Sequence, residues 1–517
     1  MSDRPLGHEK ILVIDYGSQT SQLIARRVRD LSVYCELVPC HLSVDQIEAA
    51  APKGLILSGG PDSVDAPGAP GMDPRLTALG VPILGICYGM QILAKTMGGK
   101  IRAAAGREFG AARLDLVERV PLFKDLPEEQ QVWMNHGDSI EAPPEGFRIV
   151  GKTVNTPCAA MADPSRKLYG ILFHPEVTHT VNGREILGNF LFEICRCRGD
   201  WNMASLAEEA VEKIRSQVGR GQAVLGISGG VDSSVTAVLM HRAIGERAHP
   251  IFVDTGLLRK GEADQVEASL KGEMGLPLRR VDASRDFLAA LAGIEDPEAK
   301  RRAIGRVFVE VFEREARKIG RVEFLAQGTL YPDLIESTAF RGPSAKIKTH
   351  HNVGGLPETM NLRLVEPLRE LFKDEVRRLG AALGIAPVLL GRHPFPGPGL
   401  AVRVLGEVTP DRLALLREAD AIFLAELRAE GLYDGVAQAF AVLLPVRSVG
   451  IMGDGRTYEN VCALRAVTTE DFMTADWARI PDAFLARVSS RIVNEVRGIN
   501  RVVYDISSKP PSTIEWE

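Results

Sequence analysis

Twice along the chain, a run of apolar residues stops at a glycine-rich turn that opens directly into a helix. The first case is Pro82–Ile86 running into Gly85-Ile86-Cys87-Tyr88-Gly89. The second is Ala223–Ile227 running into Ser228-Gly229-Gly230-Val231-Asp232-Ser233-Ser234. A short, continuously apolar strand that feeds a helix is buried on both faces, which requires a parallel sheet with helices packed over it. The same alternation recurs around each case. Ile11–Asp15 and Gly54–Ser58 read as further buried strands of the first third, and Gln91–Met97 and Asn189–Cys195 as helices. After a linking helix at Met203–Val218, Pro250–Val253 and Leu278–Asp282 read as strands beside the helix Ser233–Ile244. Arg392–Leu400 (RHPFPGPGL) is too rich in proline and glycine for regular structure and marks a boundary. Beyond it come strand-like runs at Ala401–Leu405, Ala441–Val449, Cys462–Val467 and Arg501–Ile506, with helices near Asp411–Glu430 and Asp482–Val496. The expected architecture is α/β: two doubly wound parallel-sheet domains (8–200 and 201–392) followed by a small α+β C-terminal domain (393–517). A chain of 517 residues is too long for a single core and fits this division.

Composition excludes several function classes. The formal net charge of -5 speaks against a non-specific nucleic-acid binder, which would be basic. Seven cysteines in a chain of this length do not make a disulfide framework and fit a reducing compartment. The opening MSDRPLGHEK has no apolar signal region, and no stretch reaches the roughly 18–20 apolar residues of a membrane span. The expectation is a cytoplasmic protein with no membrane and no nucleic-acid partner.

Gly85-Ile86-Cys87-Tyr88-Gly89 is the thiol counterpart of a nucleophile elbow. Its glycines allow a sharp turn that pushes the nucleophile outward, and the helix N-terminus behind it favours a thiolate. Phe173-His174-Pro175-Glu176 follows the apolar run Tyr169–Leu172; if it continues as a strand, His174 and Glu176 share one face. In that arrangement Cys87 attacks, His174 moves protons and Glu176 orients the imidazole. Oxyanion and substrate contacts are expected from the Tyr88 amide, from Gly59 and Gly60 in Ser58-Gly59-Gly60-Pro61, and from Gln91. A lone cysteine is ordinarily a small buried hydrophobe, and only the three motifs together argue catalysis. On these motifs residues 10–195 resemble the class I glutamine amidotransferases, a family that releases ammonia from the glutamine side chain through a thioester. Cys195-Arg196-Cys197 lacks a second ligand pair at zinc spacing and reads as structural.

The second turn is a phosphate loop without the lysine of a kinase-type loop. Its amides and the helix N-terminus suit an anion. Ser228, Gly229, Gly230, Val231, Asp232, Ser233 and Ser234, with Gly328, are the expected ATP-binding residues. The loop resembles that of the ATP pyrophosphatases, which cleave ATP between the α- and β-phosphates. Gln327–Ser337 places Asp333 and Glu336 three apart, on one face if helical. With Asp232 they form the expected Mg²⁺ set, and Lys348 in Lys346–Asn352 would neutralise the leaving pyrophosphate. Without the upstream loop these charges would read as a solvated surface.

Nearly end to end, the chain resembles the glutamine-hydrolysing GMP synthetase family. HPFPGPGL, HHNVGG and KPPSTIEWE carry this resemblance most specifically. Asp62 and Ser508 depart from its usual Glu and Gly, and neither is a catalytic group. The resemblance implies that xanthosine monophosphate (XMP) is adenylated by ATP and aminated to GMP. It also implies a homodimer formed through the C-terminal domain. Lys509 and Glu515 are expected to contact XMP, and Arg259 to hold its phosphate. Two rivals remain at this level: an NAD synthetase, which would lack the closing KPPSTIEWE, and a catalytically silent nucleotide-binding regulator, which would have no chemical need for Cys87, His174 and Glu176.

Overall fold

A computed structural model describes residues 8–60, 63–333, 362–452, 455–469, 472 and 474–517, with the backbone alone for 103–107 and 452. The described residues divide into two compact units, one running to Leu206 and the other from Ala207 to Glu517. No helix among the described residues is long and apolar enough to cross a membrane.

The first unit is built on one nine-stranded sheet. Its strands are β1 (Lys10–Asp15), β2 (Tyr34–Pro39), β3 (Gly54–Leu57), β4 (Ile83–Ile86), β5 (Lys100–Leu116), β6 (Glu129–Ala142), β7 (Arg148–Lys152), β8 (Ala160–Asp163) and β9 (Leu168–Ile171). They lie in the order β2-β1-β3-β4-β9-β8-β7-β5-β6. The half from β2 to β9 is parallel, and its central strands β3 and β4 are apolar at every position because both faces are covered. The other half, from β9 to β6, is antiparallel. The sequence reading did not anticipate this half. Along β6, buried and exposed residues alternate at first, the pattern of a strand with one wet face.

The second unit holds a five-stranded parallel sheet in the order β12-β11-β10-β13-β14. These strands are β10 (Ala223–Ile227), β11 (Ala248–Asp254), β12 (Arg279–Asp282), β13 (Phe324–Ala326) and β14 (Arg363–Val365). It also holds a mainly antiparallel sheet of β15 (Gln438–Met452), β16 (Gly455–Thr468), β17 (Asp476–Trp477) and β18 (Ile499–Tyr504), in which β18 joins β16 in parallel. One continuous apolar core runs through both: Val224, Ile251 and Phe312 belong to the same cluster as Leu400, Phe423, Leu464 and Val488. The described residues of 207–392 and 393–517 therefore pack as one body despite the proline-rich segment between them.

Ala401–Leu405, expected as a strand, departs from that expectation: Gly399–Arg403 is a turn of 3₁₀-helix. Its carbonyls are satisfied by side chains instead of a ladder. Buried Lys300 donates to Ala401 O and Val404 O, and Arg412 donates to Leu405 O.

His393 lies at the start of this segment, stacked on the Tyr433 ring at 3.8 Å. Its Nε2–H donates to Tyr433 O (3.0 Å), and its Nδ1 accepts from the Ala439 N–H (3.2 Å). Only the neutral ring can make both bonds. Burial, helped by Arg259 and Arg428, pushes its pKa down to about 4. A group depressed in the folded state stabilises fully above its unfolded value and loses that stabilisation as pH falls through the folded value. Between about pH 6.5 and 4 this residue should remove roughly 3 kcal/mol of stability. The expected result is that unfolding temperature falls less between pH 7 and pH 5 in His393→Gln than in wild type, measured by thermal denaturation.

Candidate functional site

Cys87 sits between β4 and the helix Tyr88–Thr96 at φ +53°, a left-handed conformation that a residue with a side chain adopts only under constraint. The constraint is close packing of helix on strand. A Cβ on Gly89 would lie 2.2 Å from Leu57 O, and one on Gly85 would lie 2.5 Å from Gly89 O. The elbow therefore forms only with glycine at both positions. Cys87 N–H is tied to Ile171 O (2.8 Å) on β9, and its Sγ lies 3.5 Å from Asn135 O on β6.

His174 Nδ1 lies 2.7 Å from Glu176 Oε1, and Glu176 is fully buried. The strand rationale for this pair needs correcting. β9 ends at Ile171, Phe173 makes only an isolated bridge to Met134, and Pro175-Glu176 is a turn. The turn, not strand alternation, brings the carboxylate back to the ring. Proline cannot donate to a ladder, so the strand cannot run on. The imidazole is fixed further by His174 N–H to Trp133 O (3.0 Å) and by Thr180 Oγ1 to His174 O (2.6 Å). Thr20 Oγ1 donates to Glu176 Oε1 at 2.7 Å, and Arg27 Nε donates to Glu176 O. Burial alone pulls the His174 pKa down. The Glu176 carboxylate and the neighbouring Cys87 outweigh it and hold the ring well above its ordinary value. An imidazole so held beside Cys87 can carry a proton to a departing amine.

The expected oxyanion and glutamine residues lie around the elbow, with Gly59 reaching His174. A Cβ on Gly59 would lie 3.4 Å from the His174 ring, and Gly60 packs on the Tyr88 ring. Tyr88 OH donates to Pro70 O, and Gln91 Nε2 donates to Asp138 O (3.0 Å) on β6. Pro61 and Asp62 lie outside the described residues. Sequence reasoning missed Thr20, Thr180 and all of β6, which touches Cys87, Gln91 and His174 through backbone carbonyls. Backbone contacts leave no residue-type signal.

In the second unit, Ser228–Gly230 joins β10 to the helix Val231–Ile244, with Gly229 at φ +79°. The loop is braced internally. Gly230 N–H donates to Ser228 Oγ, and Ser233 Oγ and Ser234 Oγ donate to Gly230 O. Ser234 is fully buried and acts as a brace. Ser228, Asp232, Ser233, Gly328 and Asp333 all line one cavity of about 400 Å³. Asp333 Oδ2 also accepts from Leu330 N–H (2.9 Å). Glu336 and Lys348 lie outside the described residues. A lysine from elsewhere in the chain reaches this loop: Lys373, at the start of the helix Lys373–Ala382, places Nζ 2.5 Å from Asp232 Oδ2. A lysine 141 residues from its partner is invisible to local motif reading.

The remaining expected residues have partners of their own. Arg259 Nε lies 3.1 Å from an Asp420 carboxylate oxygen, and its Nη2 donates to Ala439 O. Glu515 accepts two bonds from fully buried Arg403 and one from Gln438 Nε2. Arg259 and Glu515 thus reach adjacent residues of β15. Lys509 instead donates to Phe472 O and pairs its backbone with Ala475.

Fold and sites together define a class I glutamine amidotransferase joined to an ATP pyrophosphatase-type unit. Family models agree segment by segment: Glutamine amidotransferase class-I matches residues 12–194, NAD synthase 204–283, and GMP synthase C terminal domain 425–516. The glutamine-hydrolysing GMP synthase of Aquifex aeolicus is 58% identical over 98% of this chain and 99% of its own length. That of Phenylobacterium zucineum is 57% identical over 99% of each. A solved glutamine amidotransferase from Thermotoga maritima aligns with 36% of this chain and 98% of its own, at 17% identity and a TM-score of 0.30. The chain belongs to the glutamine-hydrolysing GMP synthases, ATP-using ligases of purine biosynthesis. The NAD synthase match spans the phosphate loop, a segment this chain shares with that family, whereas the relatives matched over the whole chain are GMP synthases.

Proposed function

We propose that Cys87, His174 and Glu176 form the glutaminase triad and that the second unit adenylates XMP before ammonia displaces AMP. The observation that carries the first half is the 2.7 Å His174–Glu176 contact beside an elbow cysteine held at positive φ. His174 takes the Cys87 thiol proton as Sγ attacks the side-chain amide carbon of glutamine, and passes that proton to the departing nitrogen, releasing ammonia and leaving a thioester. Water activated by His174 then hydrolyses the thioester to glutamate, restoring the thiol. The Tyr88 amide and the Gly59-Gly60 turn stabilise the oxyanion at both stages.

In the second unit the XMP C2 oxygen attacks the α-phosphorus of ATP and pyrophosphate leaves. Ammonia then adds at C2, and AMP departs with the oxygen, giving GMP. The amides of the phosphate loop and Lys373 hold the departing pyrophosphate. Mg²⁺ fits this site: Asp232 and Asp333 line the same cavity, and Asp232 Oδ1 is buried without a hydrogen-bond partner among the described residues. Two carboxylates with phosphate oxygens make an ordinary Mg²⁺ set, and the ion would offset charge on the leaving group. Glu336 is the third proposed ligand and Lys348 an additional cation. Arg259, Lys509 and Glu515 are the proposed XMP contacts; Arg259 must exchange Asp420 for the nucleotide phosphate to serve. The test is GMP formation from XMP and Mg·ATP with either glutamine or ammonium. Product with both supports the reading, and no product with ammonium overturns the choice of XMP.

A homodimer through the C-terminal sheet is part of this proposal. Val449 and Tyr458 pair across β15 and β16, Ile451 lies two residues along on the same face, and all three are more than half exposed. Apolar residues clustered on one face of a hairpin mark an interaction surface. The double substitution Ile451→Glu, Tyr458→Glu is expected to halve the mass measured by light scattering.

A further inference from the structure

We infer that the Arg392–Glu262 ion pair is a positioning link that makes ATP bound at the phosphate loop and XMP bound at the Arg259 loop favour each other. The inference rests on the placement of the two nucleotides proposed above. Arg392 follows the second sheet in sequence and opens the proline-rich segment, but its guanidinium turns back. Nη1 donates to Gly229 O (3.1 Å) and to Glu262 Oε1 (3.3 Å), and Nη2 donates to Gln265 Oε1 (3.2 Å). The other Glu262 oxygen, Oε2, accepts from the Arg259 backbone N–H at 3.1 Å. One ion pair thus grips a backbone group of each nucleotide loop, one at either end. Both side chains are nearly buried, at 13% and 11% exposure, so water neither screens the pair nor substitutes for it cheaply.

The grip matters because the peptide unit is planar. Its C=O and the following N–H point in opposite directions, so fixing Gly229 O fixes the Gly230 N–H. That N–H points to Ser228 Oγ, inside the loop expected to cradle phosphate. A Cβ at Gly229 would lie 2.9 Å from Val266 Cγ2, so the loop is seated against the helix that carries Glu262. On the other side, an anion that draws the Arg259 side chain away from Asp420 pulls on a backbone whose N–H is held by Glu262. The displacement reaches Gly229 through three charge-assisted contacts instead of through solvent. Burial pulls the Arg392 pKa down and Glu262 opposes it.

The test is titration calorimetry of the full chain with α,β-methylene ATP, with and without saturating XMP. The variants are Glu262→Gln, Arg392→Gln and Arg392→Lys. In wild type XMP is expected to tighten the analogue at least about five-fold. Glu262→Gln and Arg392→Gln should bring that ratio close to one, and the double variant should change it no further, because the pair acts as a unit. Arg392→Lys should restore part of it. A wild-type ratio of one, or variants that keep the wild-type ratio while unfolding at lower temperature, overturns the link and leaves the pair a structural brace. XMP that fails to bind wild type at all overturns the acceptor reading and the link with it. If Arg392→Gln does not fold, Glu262→Gln, which leaves the arginine its bond to Gly229, decides the matter alone.

Discussion

Cys87→Ala is expected to lower glutamine-dependent GMP formation by about 10³-fold or more, the scale of removing a covalent nucleophile. Ammonium-dependent formation should stay within about two-fold of wild type, since Cys87 and the phosphate loop belong to different compact units and free ammonia needs no glutaminase step. No other cysteine can take over. Cys35, Cys158, Cys195, Cys197 and Cys462 are buried, and burial pushes the thiols of Cys158 and Cys462 up to about 12 and that of Cys197 to about 11. Cys40, the one partly exposed case, is also raised by burial and by Asp15. None has an imidazole paired to a buried carboxylate beside it among the described residues. The measurement is a steady-state assay of GMP with each nitrogen source. Equal loss with both would mean that Cys87 supports the fold and not glutamine chemistry. His174→Gln should reproduce the cysteine phenotype, and Thr20→Val a milder one, because it removes only one bond to the orienting carboxylate.

What the sequence made legible depended on how local the physics was. The parallel strands were readable because burial on both faces writes itself as unbroken apolar runs, as in Ile83–Ile86 and Ala223–Ile227. Met203–Val218 was readable because its apolar spacing needs no partner to be seen. The elbow and the phosphate loop were readable because strand, turn and helix are contiguous. The antiparallel half of the first sheet was not. β5 pairs with β6 across register shifts, and one of its faces is wet, so neither strand is a clean apolar run. Ala401–Leu405 looked like a strand because apolar runs buried among side chains look the same whether a ladder or Lys300 satisfies their carbonyls. Thr20, Lys373 and Arg392 were missed for a third reason: each acts on a residue far away in sequence, and only the fold brings them together.

Asp232→Asn is expected to separate activity from stability. GMP formation should fall by about 10²–10³-fold with glutamine and with ammonium alike, the usual cost of removing one preorganised charge from a reacting phosphoryl centre. Glutamine hydrolysis itself should persist, because the carboxylate lies in the other unit from Cys87. Stability should not fall with activity. Asp232 Oδ1 is buried without a hydrogen-bond partner among the described residues, and Oδ2 has Lys373 at 2.5 Å, a lysine nearly half exposed. A carboxylate so placed gains little from an exposed lysine and bears the desolvation of its other oxygen. Only a bound cation would repay that cost, so asparagine should match or raise the unfolding temperature of the nucleotide-free protein. Lys373→Met should reproduce the loss of synthesis, and Asp232→Asn, Lys373→Met should lose less than the product of the two single effects, because the groups are in contact. The decisive comparison is unfolding temperature against turnover, with and without Mg·ATP. Added Mg·ATP should raise the wild-type transition and leave that of Asp232→Asn nearly unmoved. A variant that unfolds early and regains synthesis at low temperature would mean that Asp232 holds the helix start together and does not meet the nucleotide.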